Sequence, residues 1–108
     1  MGDLKQSVRE TIFLNGEFLG PKEAGISVLS PGFLYGWGLF ESMRAYKGKI
    51  VYFDRHLQRI KGSCRVLGMT FPGSVTGIKE VIKKTVEING LCDVYVRLTL
   101  WKSEKGTD

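Results

Sequence analysis

The stretch YGWGLFESMRAYKGKIVYFDRHLQRIKGSCRVLGM, residues 35–69, decides how this chain folds. Its first part alternates. Leu39, Met43 and Ala45 share one side of an extended segment with Glu41, and Phe40, Ser42, Arg44 and Tyr46 share the other, because successive side chains of a strand point to opposite faces. Lys47-Gly48-Lys49 then supplies a short turn with glycine where the backbone needs most freedom, so Leu39 to Tyr46 and Ile50 to Phe53 read as a hairpin. From Asp54 to Leu67 the period changes. Leu57, Ile60, Cys64 and Leu67 recur at spacings of three and four, the pattern of an amphipathic helix, with Asp54 as its N-cap despite Gly62 within it.

Upstream, Asn15-Gly16 stands between the apolar pairs Ile12/Leu14 and Phe18/Leu19 and predicts another hairpin over Thr11 to Leu19. Ala24 to Leu29 reads as one more short strand, and Ser30-Pro31-Gly32 breaks regularity ahead of a loop carrying Tyr35, Gly36 and Gly38. Downstream, Val75 to Ile88 places Ile78, Val81, Ile82, Thr85 and Val86 on one side of a helix that Asn89-Gly90 ends. Asp93 to Trp101 alternates again, with Val94, Val96, Leu98 and Leu100 opposite Tyr95, Arg97, Thr99 and Trp101. Hairpins with helices between them, and no obligatory crossovers, give an α+β fold: a small antiparallel or mixed sheet with two helices packed on one face. No repeat or linker divides the chain, so residues 1–108 read as a single domain.

Composition excludes several classes. At 43% apolar and 25% charged residues, with no long apolar run, the chain is neither disordered nor membrane-spanning. Folding a chain of this length buries about 66% of its unfolded surface, enough for one modest core. The N-terminal MGDLKQS lacks the apolar run of a signal peptide and has Gln6 where myristoylation requires Ser or Thr. A cytoplasmic address is therefore expected. Cys64 and Cys92 are far apart, with no second histidine beside His56, so two reduced structural thiols are expected and no metal site. A net charge of +5 would suit a polyanion, but the basic residues are scattered. The one adjacent pair, Lys83-Lys84, is flanked by Glu80 and Glu87 as on a solvated helix face. No nucleic-acid partner is expected.

Two strands that each offer an arginine among aromatics, Phe40/Ser42/Arg44 and Tyr95/Arg97, make either a cationic, aromatic-walled surface for an anionic planar ligand or a plain solvent face rich in strand formers. Arg59 lies beside the apolar stripe of its helix, one turn from His56 and one from Ser63. An arginine at such an edge presents a fork of donors to a phosphate or covers apolar surface with its stem. Other chemistry is absent from the pattern. Gly36-Trp37-Gly38 has Glu41 where a dinucleotide fingerprint needs its third glycine, and no P-loop, HExxH or GxSxG occurs.

Taken together, Tyr35, Gly36, Gly38, Leu39, Phe40, Glu41 and Arg44, followed by a hairpin and then His56, Leu57, Arg59, Ile60 and Ser63, resemble the N-terminal small domain of class IV aminotransferases. This is the fold-type IV group of pyridoxal-phosphate enzymes, which includes branched-chain and D-amino acid aminotransferases and aminodeoxychorismate lyase. The resemblance implies that Arg59 grips the phosphate of pyridoxal 5′-phosphate, far more than Arg55 does. It further implies that Tyr35, Phe40, Ser42, Arg44, Tyr95 and Arg97 line the substrate pocket, and that both sets face one shared cavity. Branched-chain enzymes usually carry glycine where Ser42 stands.

By the same resemblance, the family's Schiff-base lysine lies in a larger domain downstream of residue 108. The 108 residues would then be the small domain of a truncated two-domain enzyme, inactive alone. The implied activity is transfer of an amino group between an amino acid, branched-chain among the candidates, and a 2-oxo acid, in a homodimer. Aminodeoxychorismate lyase, or a non-catalytic anion-binding module, is the alternative.

Overall fold

In the computed structural model, residues 10–90 and 93–103 are described. Cys92 and the N-terminal segment read for a leader lie outside them. Strands β1 (Ile12–Leu14) and β2 (Glu17–Leu19) pair antiparallel as Ile12 with Leu19 and Leu14 with Glu17. Between them Asn15 and Gly16 take φ of 50° and 93°. This is the left-handed turn that the Asn-Gly pair favours.

The next expectation fails. Residues 24–29 form no strand: the Leu29 amide donates to Ser27 Oγ and the Ser30 amide to Ser27 O, closing a turn. Ile26, Val28 and Leu29 stay exposed, with no neighbouring strand among the described residues to take up their backbone groups. What read as a break and loop is instead a short helix, α1 (Pro31–Tyr35). Ser30 Oγ accepts from the Phe33 amide, proline occupies the first turn, and Gly36 closes the helix at φ 68°, an N-terminal proline and C-terminal glycine arrangement.

A three-stranded sheet follows, in the order β4-β3-β5 with every pair antiparallel. Central β3 (Gly38–Tyr46) pairs along its whole length with β5 (Asp93–Trp101), from Gly38 opposite Trp101 to Tyr46 opposite Asp93. On its other side β4 (Lys49–Ile50) meets only Ala45 and Tyr46. The expected strand Ile50 to Phe53 is cut short because Tyr52 takes φ 55° and turns the chain directly into helix α2 (Phe53–Leu67). Asp54 is accordingly not the N-cap. Tyr52 holds that position without a side-chain bond, and Asp54 sits in the first turn, where its charge still suits the helix dipole.

The core lies between the sheet and the helices. Phe53, Leu57, Ile60 and Cys64 of α2 pack with Met43 and Leu100 of the sheet and with Ile82 of α3 (Val75–Ile88). Burying each large apolar side chain contributes about 1.5–3 kcal/mol. The stripe stops one position earlier than its spacing predicts. Leu67 remains 38% exposed, because Gly68 (φ 69°) ends the helix and Met69 folds back under it, its amide donating to Cys64 O at 2.8 Å. On α3 only Ile82 is fully buried, with Ile78, Val81, Thr85 and Val86 half-buried. Asn89 ties the first hairpin on: its amide group accepts from the Thr11 N–H at 2.7 Å and donates to Thr11 O at 3.0 Å.

Candidate functional site

Glu41 is the polar exception on the core face of β3. Alternation sends it inward with Met43 and Ala45, and its side chain is 7% exposed. A carboxylate so placed requires partners. They come from the first two turns of α2: Arg59 Nε donates to Glu41 Oε2 at 2.7 Å, Arg59 Nη2 to Oε1 at 2.8 Å, and His56 Nδ1 lies 2.7 Å from Oε1. The Arg59 guanidinium beside it, more than His56, holds the Glu41 carboxyl down to about 2, and the same pairing raises Arg59. Because the carboxylate accepts, His56 Nδ1 carries a proton.

The fork leaves part of Arg59 uncommitted. A guanidinium has five N–H donors, and two are used on Glu41. The Nη1 pair and the outer Nη2 proton have no acceptor among the described residues, and the side chain is 69% exposed. Beside it is a concavity of about 200 Å³ lined by Tyr52, Arg55, His56 and Arg59. Glu41 therefore fixes a cation whose outer edge still faces solvent. Ser63, the third member of the row expected on this helix, is half-buried and takes no part in the cluster.

The other face of the sheet carries a second, separate concavity. An open groove of about 410 Å³ is walled by Phe33, Phe40, Arg97, Thr99 and Trp101, with Gly32 in its floor. Arg97 lies over Phe40, its Cζ 4.0 Å from the ring centroid, close enough for a cation–π contact. Ser42 is Arg97's register partner and is exposed. Arg44 is engaged elsewhere: its Nη2 donates to both Asp93 oxygens, at 3.1 and 3.4 Å, and its guanidinium sits 5.4 Å from the Tyr46 ring. Tyr95 stands opposite Arg44 at 76% exposure, and Tyr35 ends α1 at 77%. Neither enters the groove.

The described residues form two concavities rather than the expected single cavity. Phe40 and Arg97 come together, Arg44 and Tyr95 meet further along the sheet, and Arg59 belongs to a different concavity with no lining residue in common. Alternation is the cause. Glu41, between Phe40 and Ser42, points the opposite way from both and takes Arg59 with it. Glu41, and Arg55 in the lining of the concavity beside Arg59, were not among the expected site residues. A lone carboxylate in an apolar row was the available signal for Glu41; nothing in the spacing marked Arg55.

The groove wall is held rigidly. Gly32 N–H donates to Lys102 O and Lys102 N–H to Trp37 O, both at 3.0 Å, while Trp37 Nε1 donates to Leu67 O at 3.1 Å. A Cβ on Gly32 would lie 2.6 Å from Trp101 Cβ, so only glycine fits there. Burial pushes the Cys64 thiol up, keeping it neutral. Among the described residues no His/Cys/Asp/Glu cluster is arranged for a metal ion, and no helix is long and apolar enough to cross a membrane.

Comparison with known proteins follows the same outline. The family described as amino-transferase class IV matches residues 38–108. The chain is 37% identical over 89 residues to a putative branched-chain-amino-acid aminotransferase of Methanocaldococcus jannaschii, covering 82% of this chain and 31% of that protein. It is 34% identical over 98 residues to a D-alanine aminotransferase of Staphylococcus aureus, covering 89% and 35%. Among solved structures, a T.th. branched-chain amino acid aminotransferase with pyridoxamine 5′-phosphate superposes with a TM-score of 0.83 at 36% identity, over 93% of this chain and 35% of that one. The branched-chain aminotransferase of the archaeon Thermoproteus uzoniensis with norvaline superposes at 0.80 and 29% identity, over 88% and 34%. The chain spans about a third of the length of these proteins.

Proposed function

Since the chain belongs to the class IV aminotransferases, we propose that it forms the phosphate-holding and substrate-facing part of an enzyme that transfers an amino group between an amino acid and a 2-oxo acid. The cofactor of this reading is pyridoxal 5′-phosphate. One observation carries it: a guanidinium locked by two bonds to a buried carboxylate, with its remaining donors turned to solvent. That donor set fits a phosphate monoester, since a fork of N–H groups matches two oxyanion oxygens. The pairing satisfies the buried Glu41 carboxylate, and the donors left over on Arg59 are what favour an anionic ligand over an arginine that merely covers apolar surface.

In this proposal each residue has a definite task. Arg59 binds phosphate oxygens through Nη1 and the outer Nη2 proton. Glu41 fixes the guanidinium plane before the ligand arrives, which lowers the entropy cost of binding. Arg97, stacked on Phe40, offers positive charge beside an apolar wall, suited to a substrate carboxylate and an aliphatic side chain. Ser42 lies beside it, and Arg44, Tyr95 and Tyr35 form the outer rim. When bound, pyridoxal phosphate supplies an aldehyde and an electron-withdrawing ring that loosen bonds at the substrate α-carbon. A ligand that reaches both concavities passes over the edge of β3 at residues 39–43, which β4 leaves uncovered.

Phe33 at the groove is exposed, as are Tyr35 and Tyr95 outside it, and closure by a second copy or a further domain belongs to this proposal, as does the small-domain role of residues 1–108. The test is an assay of the whole gene product with 2-oxoglutarate and a panel of branched-chain and D-amino acids, beside aminodeoxychorismate. Transfer from at least one donor is expected. Pyruvate release from aminodeoxychorismate without any transfer would replace the reading with elimination, and neither reaction would leave an anion-binding module.

A further inference from the structure

We propose that Arg55 supplies a second guanidinium to the same anion, making the concavity at the start of α2 a two-arginine phosphate site. The inference rests on the phosphate role proposed for Arg59 and adds a residue to it. Arg55 and Arg59 are four apart on one helix, which puts their Cβ atoms about 6 Å apart on the same side. Both line the concavity of about 200 Å³, together with Tyr52 and His56.

Charge counting gives Arg55 its purpose. Glu41 neutralises Arg59, so that pair presents donors but no net charge. No ion pair involves Arg55 among the described residues. Its Cζ instead lies 5.5 Å from the Tyr52 ring, and a ring face orients a cation without cancelling its charge. The excess positive charge beside the Arg59 fork is therefore Arg55's. A phosphate dianion gains from both: directed donors from one arginine and uncompensated charge from the other.

Tyr52 adds an independent sign. It is a bulky residue at φ 55° and ψ 36°, 67% exposed, with no side-chain bond to the helix it caps. Such a backbone costs about 1–3 kcal/mol and persists where the surrounding structure over-determines it. Here it sets an aromatic ring at the mouth of the concavity, under Arg55.

The experiment is phosphate protection against arginine modification. The protein is treated with phenylglyoxal at constant ionic strength with rising inorganic phosphate, and modification at Arg55 and Arg59 is read separately by peptide mass spectrometry. Phosphate affinity is then compared for wild type, R55A, R55K and R59A, with circular dichroism confirming that each is folded. Protection of both arginines at the same phosphate concentration is expected. R55A should weaken phosphate about fivefold, roughly 1 kcal/mol, in low salt and less in high salt, and R55K should recover part of that loss. Protection of Arg59 alone, with R55A equal to wild type, overturns the Arg55 role and leaves the Arg59 reading standing. Protection of neither overturns both.

Discussion

Replacing Glu41 with glutamine removes the charge that joins β3 to α2 while keeping the side chain's size. The wild-type carboxyl is held at about 2 against an ordinary 4.5. At about 1.4 kcal/mol per unit, that difference corresponds to roughly 3 kcal/mol. Arg59 is 69% exposed, so solvent screening reduces the figure, and about 2 kcal/mol is expected at neutral pH. This is a large share of the roughly 5–15 kcal/mol typical of a domain. The sign follows from the direction of the shift: a depressed carboxyl stabilises the fold above pH 4.5, and that contribution fades as pH falls toward 2. Urea unfolding of wild type and E41Q, followed by tryptophan fluorescence between pH 7 and 3, checks it. All other carboxylates are common to both proteins, so the gap between the curves reports Glu41 together with its Arg59 and His56 partners. A gap that is the same at pH 7 and pH 3, or absent at pH 7, refutes the reasoning.

Gly32→Ala should lower stability by about 1–3 kcal/mol, because its new Cβ would lie 2.6 Å from Trp101 Cβ; thermal melts measure this. Asn89→Ala removes bonds to Thr11 N–H, Thr11 O and Thr85 O. Amide exchange should quicken in the first hairpin while β3 and β5 keep their protection, and equal loosening everywhere would count against a local latch. A double-mutant cycle on Phe40→Leu and Arg97→Met should give a coupling of about 0.5–1 kcal/mol for their stacked contact. A coupling near zero would mean the two share the groove without holding each other.

Local patterns in the sequence carried much of the fold. The α3 stripe and the alternation of β3 and β5 depend on each residue's nearest neighbours, and the structure reproduces their extents closely. Elements set by single backbone angles were harder to read. Tyr52 ends β4 by entering a conformation that tyrosine seldom adopts, and Ser30-Pro31 starts a helix where proline and glycine suggested only a break. Ala24 to Leu29 had strand composition but no strand to pair with among the described residues, and pairing is not written in a segment's own residues. The site divided the same way. Alternation in two strands put Phe40 and Arg97 on faces rich in aromatics and arginine without pairing them, whereas Arg59's partner lies 18 residues away on another element. That bond, and the opposite faces it assigns to Arg59 and Phe40, arise only once helix and sheet are packed.

The proposed phosphate role of Arg59 is tested most directly by the ratio of affinities for pyridoxamine 5′-phosphate and pyridoxamine, measured on the whole gene product and its R59A variant. The two ligands differ only in the phosphate. The ratio should fall by at least about tenfold in R59A, since a charge-assisted fork is worth about 1.5–3 kcal/mol; an unchanged ratio contradicts the account.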